Sequence, residues 1–419
     1  MPLRAASPFE PVSARPRDAQ GRHQLRAFTE AEKSGVIITP VWNKSHREHT
    51  TVGSAPKEVM AEAIAATEGL GWQHSYLVDA DHINLDTVKE FIPHSNFFTL
   101  DVGKYIGKKA EESEIRKFVV HVRTNFLDGL NIIGVSEEFN LSLKSVKEVA
   151  NKFLYSIQKA AEIYSFIRKS KGNDDFCIEI SMDEVESPQS RVELLLILKM
   201  ISYYGIPIDT LAPKFEGRFN KGIDYEGDLS AFEKEFEDFL LIMDYAAEQF
   251  GMNPDQKLSI HTGSDKFSLY PIINRLIKKH DAGLHLKTAG TTWLEEVIGL
   301  AEAEGAALEL MKEIYIEALH RFEELTSPYL TVLNINKENL PDSDKVRSWS
   351  GKLFAESIRH DQQNPLYNSD FRQLMHTAYK IAAKHGERFT DLLDEHEVLV
   401  GEHVFQNIYK RHLTPLFIQ

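Results

Sequence analysis

Five short apolar runs in this chain end in ionisable side chains: YLVDAD at 76–81, FFTLD at 97–101, FCIEISMDE at 176–184, LSIHTGSD at 258–265 and AGLHLKT at 282–288. Each has the length of a strand, and in a strand successive side chains point to opposite faces. In the third run, Phe176, Ile178, Ile180 and Met182 share one face, and Cys177, Glu179, Ser181 and Asp183 the other. Leu258 and Ile260 oppose Ser259 and His261, and Leu284 and Leu286 oppose His285 and Lys287. Asp79 shares a face with Asp81, and Thr99 with Asp101. Strands that are apolar on one side and ionisable on the other need helices against the first and an enclosed polar site against the second. A TIM-like (β/α)8 barrel supplies both, with its active groups at the strand ends. Charges buried there need each other or a metal.

The intervening segments carry helical patterning. Residues 55–68 have Pro56 near the start and a stripe of Val59, Ile64 and Ala65. Further helices are expected at 85–91, 191–203, 229–250 and 269–279. Strand, helix and strand in alternation is the α/β rhythm. No GxGxxG follows a strand, which argues against a dinucleotide-binding open sheet. Residues 112–171 contain no strand signal and read as a helical insertion, with Phe118, Val119, Val122, Phe126 and Leu127 on one face. IPIDTLAP at 206–213 and TVLNI at 331–335 are strand-like. The expected organisation is an N-terminal extension over 1–50, irregular except for a helical piece at 25–33, then one barrel domain over 51–419. A helical region at about 340–419 ends the chain.

With 63 acidic against 48 basic residues the formal charge is −15. Such a surface repels phosphate backbones and anionic lipid unless a basic patch intervenes, and none is evident. Neither nucleic acid nor membrane is an expected partner. No run approaches the ~20 apolar residues of a membrane span, and 1–23 is no secretory signal. The single cysteine, Cys177, excludes an intrachain disulfide and fits a cytoplasmic location. It reads as a small buried strand residue rather than a nucleophile.

A carboxylate with two imidazoles is a common shell for zinc, and similar sets suit manganese, nickel, cobalt or iron. Glu179, His261 and His285 are the expected ligands. The competing reading is of core histidines bonded to a carboxylate, and Asp81, His82 and Asp183 compete as ligands. Asp81 is the candidate base, with His82 beside it as a substrate contact. Lys287 and Lys266 are candidates for acid/base work or for holding a substrate carboxylate; a salt bridge is the alternative for each. Arg218 and Lys221, in the connector FEGRFNKGIDY at 215–225, offer cations to an anionic substrate, Lys221 reading more simply as surface charge. The turn TAGTTW at 288–293 offers N–H groups to an anion at a helix start. His376, on a helix, reads as structural.

The segments VDADHINLDTV (78–88), CIEISMDEVESP (177–188), APKFEGRFNKGIDYEGD (212–228), SIHTGSDKFSLYPII (259–273) and HLKTAGTTWLE (285–295) resemble the tagaturonate/fructuronate epimerase family of bacterial hexuronate catabolism. The resemblance runs from residue 78 to the C-terminus. It implies a divalent-metal enzyme acting on a small anionic sugar acid, interconverting D-tagaturonate and D-fructuronate, which differ at C4. A hydrogen on C4 is not α to the C2 ketone, so simple enolisation does not remove it. Retro-aldol opening and reclosure of C3–C4 is the favoured route; carbonyl migration or transient oxidation are the others. A metal-dependent aldolase or ketose isomerase on a related sugar acid, and a non-catalytic sugar-binding protein, are the alternatives. Assembly into a homo-oligomer is left open by the sequence.

Overall fold

The computed structural model describes residues 5–9, 18–126, 130, 132–135, 139, 141–288 and 290–419. Eight strands occur in it: β1 (Ala5–Phe9), β2 (Thr39–Ser45), β3 (Leu77–Ile83), β4 (Phe97–Asp101), β5 (Cys177–Ser181), β6 (Thr210–Ala212), β7 (Lys257–His261) and β8 (Leu284–Lys287). From β2 to β8 each strand pairs in parallel with the next. The short β1 pairs in parallel with β2 through Ala5↔Thr39 and with β8 through Ala5↔His285.

Helices separate the strands, and local signals set their ends. Ser190 and Glu193 form a capping box at the start of Arg191–Tyr203, which buries Leu194, Leu195, Leu198 and Ile201. Asp228 caps Leu229–Phe250, and Gly251, in the left-handed conformation, ends it. The 112–171 segment forms two helices, Glu112–Phe126 and Leu143–Lys171. Of the face expected on the first, Phe118 and Val122 are buried in the main core; Leu127 lies outside the described residues. Among the described residues, no helix is long and apolar enough to cross a membrane.

The two faces of the sheet separate as alternation requires. Ile178, Ile180, Leu258, Ile260, Leu284 and Leu286 join the main core with the surrounding helices. On the other face, Val41 and Phe97 pack with Leu77 and Cys177 as a small apolar plug near the strand starts. Beyond this plug the inner face is polar.

Two expectations need correction. The sheet does not begin after residue 50: β2 pairs with β3 through Trp42↔Val78 and Asn43↔Asp79, while the helical piece expected at 25–33 lies within the helix Asp18–Lys33. Pro40 conceals that strand, since a residue without an N–H is unusual inside a sheet. The TVLNI run at 331–335 is not a strand; it is irregular chain, held by bonds from Lys221 N to Val332 O and from Asn334 N to Gln373 Oε1.

From Trp293 onward the helices build a second core around Trp293, Leu310, Tyr315, Phe354 and Phe371. The end of the chain then returns to the sheet. Helix Glu397–Gln406 and the π-helical segment Asn407–Ile418 pack on Asp18–Lys33, and the latter also packs on Tyr270–Lys279. Val404, Ile408, Leu413, Leu416 and Phe417 thereby enter the main core.

Candidate active site

Lys287, on β8, organises the inner polar layer. Its Nζ lies 2.7 Å from Asp79 Oδ2, 2.7 Å from Asp81 Oδ1 and 3.1 Å from Glu179 Oε1. Burial alone would weaken its hold on the proton, but the three carboxylates outweigh burial and keep it protonated well above the ordinary lysine range. Glu179 is fully buried and accepts on both oxygens. Oε1 takes His261 Nε2 at 2.8 Å, and Oε2 takes His285 Nδ1 at 2.8 Å and Thr210 Oγ1 at 2.6 Å. Burial would raise its carboxyl; Lys287, His285 and His261 together hold it well below the usual range.

One layer nearer the strand ends, His82 Nδ1 meets Asp81 Oδ1 at 2.9 Å. The His82 and His261 rings are tilted to each other with centroids 5.3 Å apart. Asp183 stands between them, with Oδ2 3.2 Å from His261 Nδ1 and Oδ1 3.9 Å from His82 Nε2. Both of those nitrogens are buried and complete no hydrogen bond. Among the described residues, His82, Asp183 and His261 bring ligand atoms within 4.8 Å of one another. His82 also sits at φ 49°, a left-handed backbone that a non-glycine residue rarely adopts and that tends to mark functional positions.

The electrostatics fit a cation at this point. Three buried carboxylates (Asp79, Asp81 and Glu179) share the one lysine, Lys287, and the half-buried Asp183 stands beside the His82 and His261 rings. Burial disfavours the imidazolium of His261, yet Asp183 and Glu179 raise its pKa to about 9. His82 is raised well above its ordinary value against burial, chiefly by Asp81 and Asp183. The pair of unbonded nitrogens, with a carboxylate between them, is a donor set that suits zinc, manganese, nickel or cobalt.

The expected residues fare differently. Glu179, His261 and His285 do meet, but Glu179 spends its oxygens on the two rings, Thr210 and Lys287. His285 lies deeper, bonded to Glu179 and Ser259, with its ring T-shaped to that of Phe97 at a centroid separation of 5.1 Å. Burial lowers its pKa. Lys287 is the paired lysine of the salt-bridge alternative. Lys266 is fully buried and its Nζ is spent on Asn220 O at 3.0 Å, Ile223 O at 2.8 Å, Ser264 Oγ at 3.2 Å and Asp265 O at 3.3 Å. It fastens the connector to the end of β7 and has no ammonium to offer a substrate. Arg218 is exposed, its backbone bridged to Glu226. Asp81 is committed to His82 and Lys287. Burial would raise its carboxyl, but these two partners hold it below its usual range, which makes it a weak base. His376 is buried against Gly290, where a methyl group would overlap its ring. Burial pushes the Cys177 thiol up to about 12, so it is no nucleophile.

A second buried cluster, unforeseen in the sequence, lies just past β7. Asp265 accepts from Arg372 Nη2 at 2.7 Å, His360 Nδ1 at 3.1 Å and Thr291 Oγ1 at 3.1 Å, and its Oδ1 is 3.3 Å from His412 Nε2. The anion beside the TAGTTW helix start is thus a carboxylate of the chain itself. The only signal for it was GSD in HTGSDKFS; its partners lie far along the chain, where no spacing rule applies.

Comparison with known proteins identifies the family. The family model of tagaturonate epimerase (UxaE) matches residues 25–416. A tagaturonate/fructuronate epimerase of Thermotoga maritima is 29% identical over 403 residues, 93% of this chain and 78% of that protein. Two crystal structures of fructuronate-tagaturonate epimerase UxaE from Cohnella laeviribosi, one native and one with a glycerol bound, superpose with TM-scores of 0.80 and 0.78. Each is 25% identical and covers 99% of this chain and 81% of its own. The chain belongs to the tagaturonate epimerase family, enzymes of the isomerase class.

Proposed function

We propose that this protein interconverts D-tagaturonate and D-fructuronate by inverting C4, with a divalent cation held by His82, Asp183 and His261. One observation carries the reading: His82 Nε2 and His261 Nδ1 are buried and unbonded on either side of Asp183 in a chain of this family. Their other ring nitrogens rest on Asp81 and Glu179, and such outer carboxylates commonly fix the tautomer and direction of a metal-binding imidazole. A cation bound there would supply Lewis-acid polarisation of the C2 ketone.

The chain's own groups do the rest. Lys287 helps keep Asp81 and Glu179 ionised and so fixes both imidazoles, while burial raises the carboxyl of Asp79. In the retro-aldol route a base takes the C4 hydroxyl proton, the C4–O electrons form the aldehyde, and the C3–C4 pair moves toward the C2 carbonyl. The aldehyde end turns over, and the bond re-forms on its other face. Asp101, on the same inner face at the end of β4, is better placed as base than Asp81. Among the described residues its one hydrogen bond is from Gly103 N to Oδ1, at 3.0 Å. The same reading takes β1 as the eighth strand that completes a (β/α)8 barrel between β8 and β2, in a cytoplasmic enzyme.

The test is turnover of D-tagaturonate by metal-stripped protein before and after addition of zinc, manganese, nickel or cobalt, with the product identified by NMR. The C4 epimer alone, restored by metal, is expected; carbon–carbon cleavage or an aldose would favour the aldolase or isomerase alternatives. His82→Ala and His261→Ala should each lose bound metal by elemental analysis, while His285→Ala keeps it. Metal lost from His285→Ala but kept by His82→Ala would restore Glu179, His261 and His285 as the ligands. Undiminished turnover in EDTA would end the metal reading.

A further inference from the structure

Three cations converge on one aromatic ring beyond the strand ends. Tyr329 is buried, and Lys380 Nζ, Lys221 Nζ and Arg47 Cζ stand 5.0, 5.3 and 5.5 Å from its ring centroid. They come from remote parts of the chain. Arg47 opens the helix His46–Val52 that follows β2, Lys221 lies in the connector after β6, and Lys380 belongs to helix Tyr379–Lys384 of the C-terminal region.

The cluster faces the site. Ser45, two residues before Arg47, is paired in register with Asp81. Lys221 Cγ lies 3.7 Å from where a side chain on Gly263 would begin, and Gly263 is two residues past His261. Arg47 follows the end of β2, Lys221 reaches from the connector after β6 to the turn after β7, and both approach the Tyr329 ring. The Tyr329 hydroxyl is 3.3 Å from that of Tyr379.

Lys221 is held unusually firmly for a loop residue. Asn220 O and Ile223 O accept from Lys266 Nζ, and Gly222 O accepts from Arg372 Nε. Gly222 N donates to Ser264 Oγ at 2.8 Å, and Lys221 N donates to Val332 O at 2.8 Å. The backbone on both sides is fixed while the ammonium is left over. Among the described residues, Arg47, Lys221 and Lys380 make no ion pair, in a chain with 63 acidic residues to offer. Three like charges repel, and a cation–π contact offsets only part of that repulsion. Glu184 and Glu48 act on Arg47 without forming an ion pair with it, so an anion from outside the chain would balance the cluster more fully.

We propose that Arg47, Lys221 and Lys380 form the subsite for the substrate's carboxylate, selecting a sugar acid over a neutral ketose and leaving the ketone end to the His82–Asp183–His261 centre. The inference rests on the hexuronate reading above and moves the carboxylate contact away from Lys287, Lys266 and Arg218.

The experiment compares wild type with Lys221→Met, Lys380→Met and the double variant, each checked by thermal melting. Both lysines are half-exposed, so methionine leaves the fold intact. In turnover of D-tagaturonate, each single variant should raise KM about tenfold or more with kcat changed far less, and arginine at either position should restore KM. An unchanged KM in the folded double variant overturns the subsite and leaves the epimerase reading standing. A second measurement does not depend on turnover: calorimetric titration with D-galactonate and with the neutral polyol galactitol. Wild type should prefer the acid, and the double variant should lose that preference. No preference in wild type, or one that survives in the double variant, overturns the proposal even if the protein fails to epimerise D-tagaturonate.

Discussion

Lys287 shows how one side chain can set the state of a whole site. Asp79, Asp81 and Glu179 are each within 3.1 Å of its Nζ, and Asp81 and Glu179 in turn hold His82 and His261. Removing one partner of a buried ion pair usually costs about 3–5 kcal/mol, because the other charges stay behind uncompensated. Lys287→Met should therefore lower stability to chemical denaturation by roughly that amount. Adding Glu179→Gln to it should recover part of the loss, since one stranded charge is removed. If the double variant were less stable than Lys287→Met by the full cost of Glu179→Gln alone, the coupling would not exist. The same pairing explains why Lys287 is unsuited to proton transfer: its neighbours hold the proton in place.

At the level of elements, the site depends on turns that the sheet does not itself control. The connector after β6 and the turn after β7 are joined by Lys266 and Ser264, and Arg372 reaches from helix Ser369–Thr377 to Gly222 O, Ile358 O and Asp265. Gly222 has φ 81°, and a side chain there would begin 3.3 Å from Gln373 Cα, so the connector can lie this close to the C-terminal helices only as glycine. Asp265 carries the charge that binds these pieces. Burial would raise its carboxyl, but Arg372, His360 and His412 hold it well below the usual range. Asp265→Asn should destabilise the protein by about 3–5 kcal/mol, read from denaturant midpoints, because Arg372 would remain buried without its counter-charge. A loss below about 1 kcal/mol, the scale of an exposed pair, would show that the clamp is dispensable.

For the whole molecule, the helix Thr291–Glu302 ties the sheet to the second core, and it carries a buried acid that links stability to pH. Glu296 is 1% exposed, its Oε2 has no hydrogen-bond partner, and burial together with nearby Glu62 raises its pKa to about 8. Unfolded, it would ionise near 4.5. Between these values the folded chain keeps a proton that the unfolded chain has released. Stability from this group is thus complete below pH 4.5 and declines as pH rises toward 8, by up to about 1.4 kcal/mol per pH unit. Glu296→Gln should match wild type at pH 4 and exceed it at pH 8 in denaturation experiments; equal pH profiles would show that Glu296 does not titrate in this range.

The sequence by itself determined the strand–helix alternation, the two faces of each strand and the family, because these rest on short-range periodicity and on contiguous motifs. Helices 191–203 and 229–250 follow from patterning and caps within a single segment. His82, Asp183 and His261 were legible as polar strand-end residues, but their grouping was not. Alternation puts Glu179, His261 and His285 on one face without saying at what height each stands, and parallel register sets that height. Only the tertiary structure decided that Glu179 lies beneath the candidate cation site, that Lys287 is enclosed by carboxylates and that Lys266 faces a loop. It alone decided that Arg47, Lys221 and Lys380 meet at Tyr329, and that the chain's last residues close the outer layer. The physical reason is the same throughout: those choices depend on contacts between segments tens to hundreds of residues apart, and their energies come from burial and charge pairing that no local pattern carries.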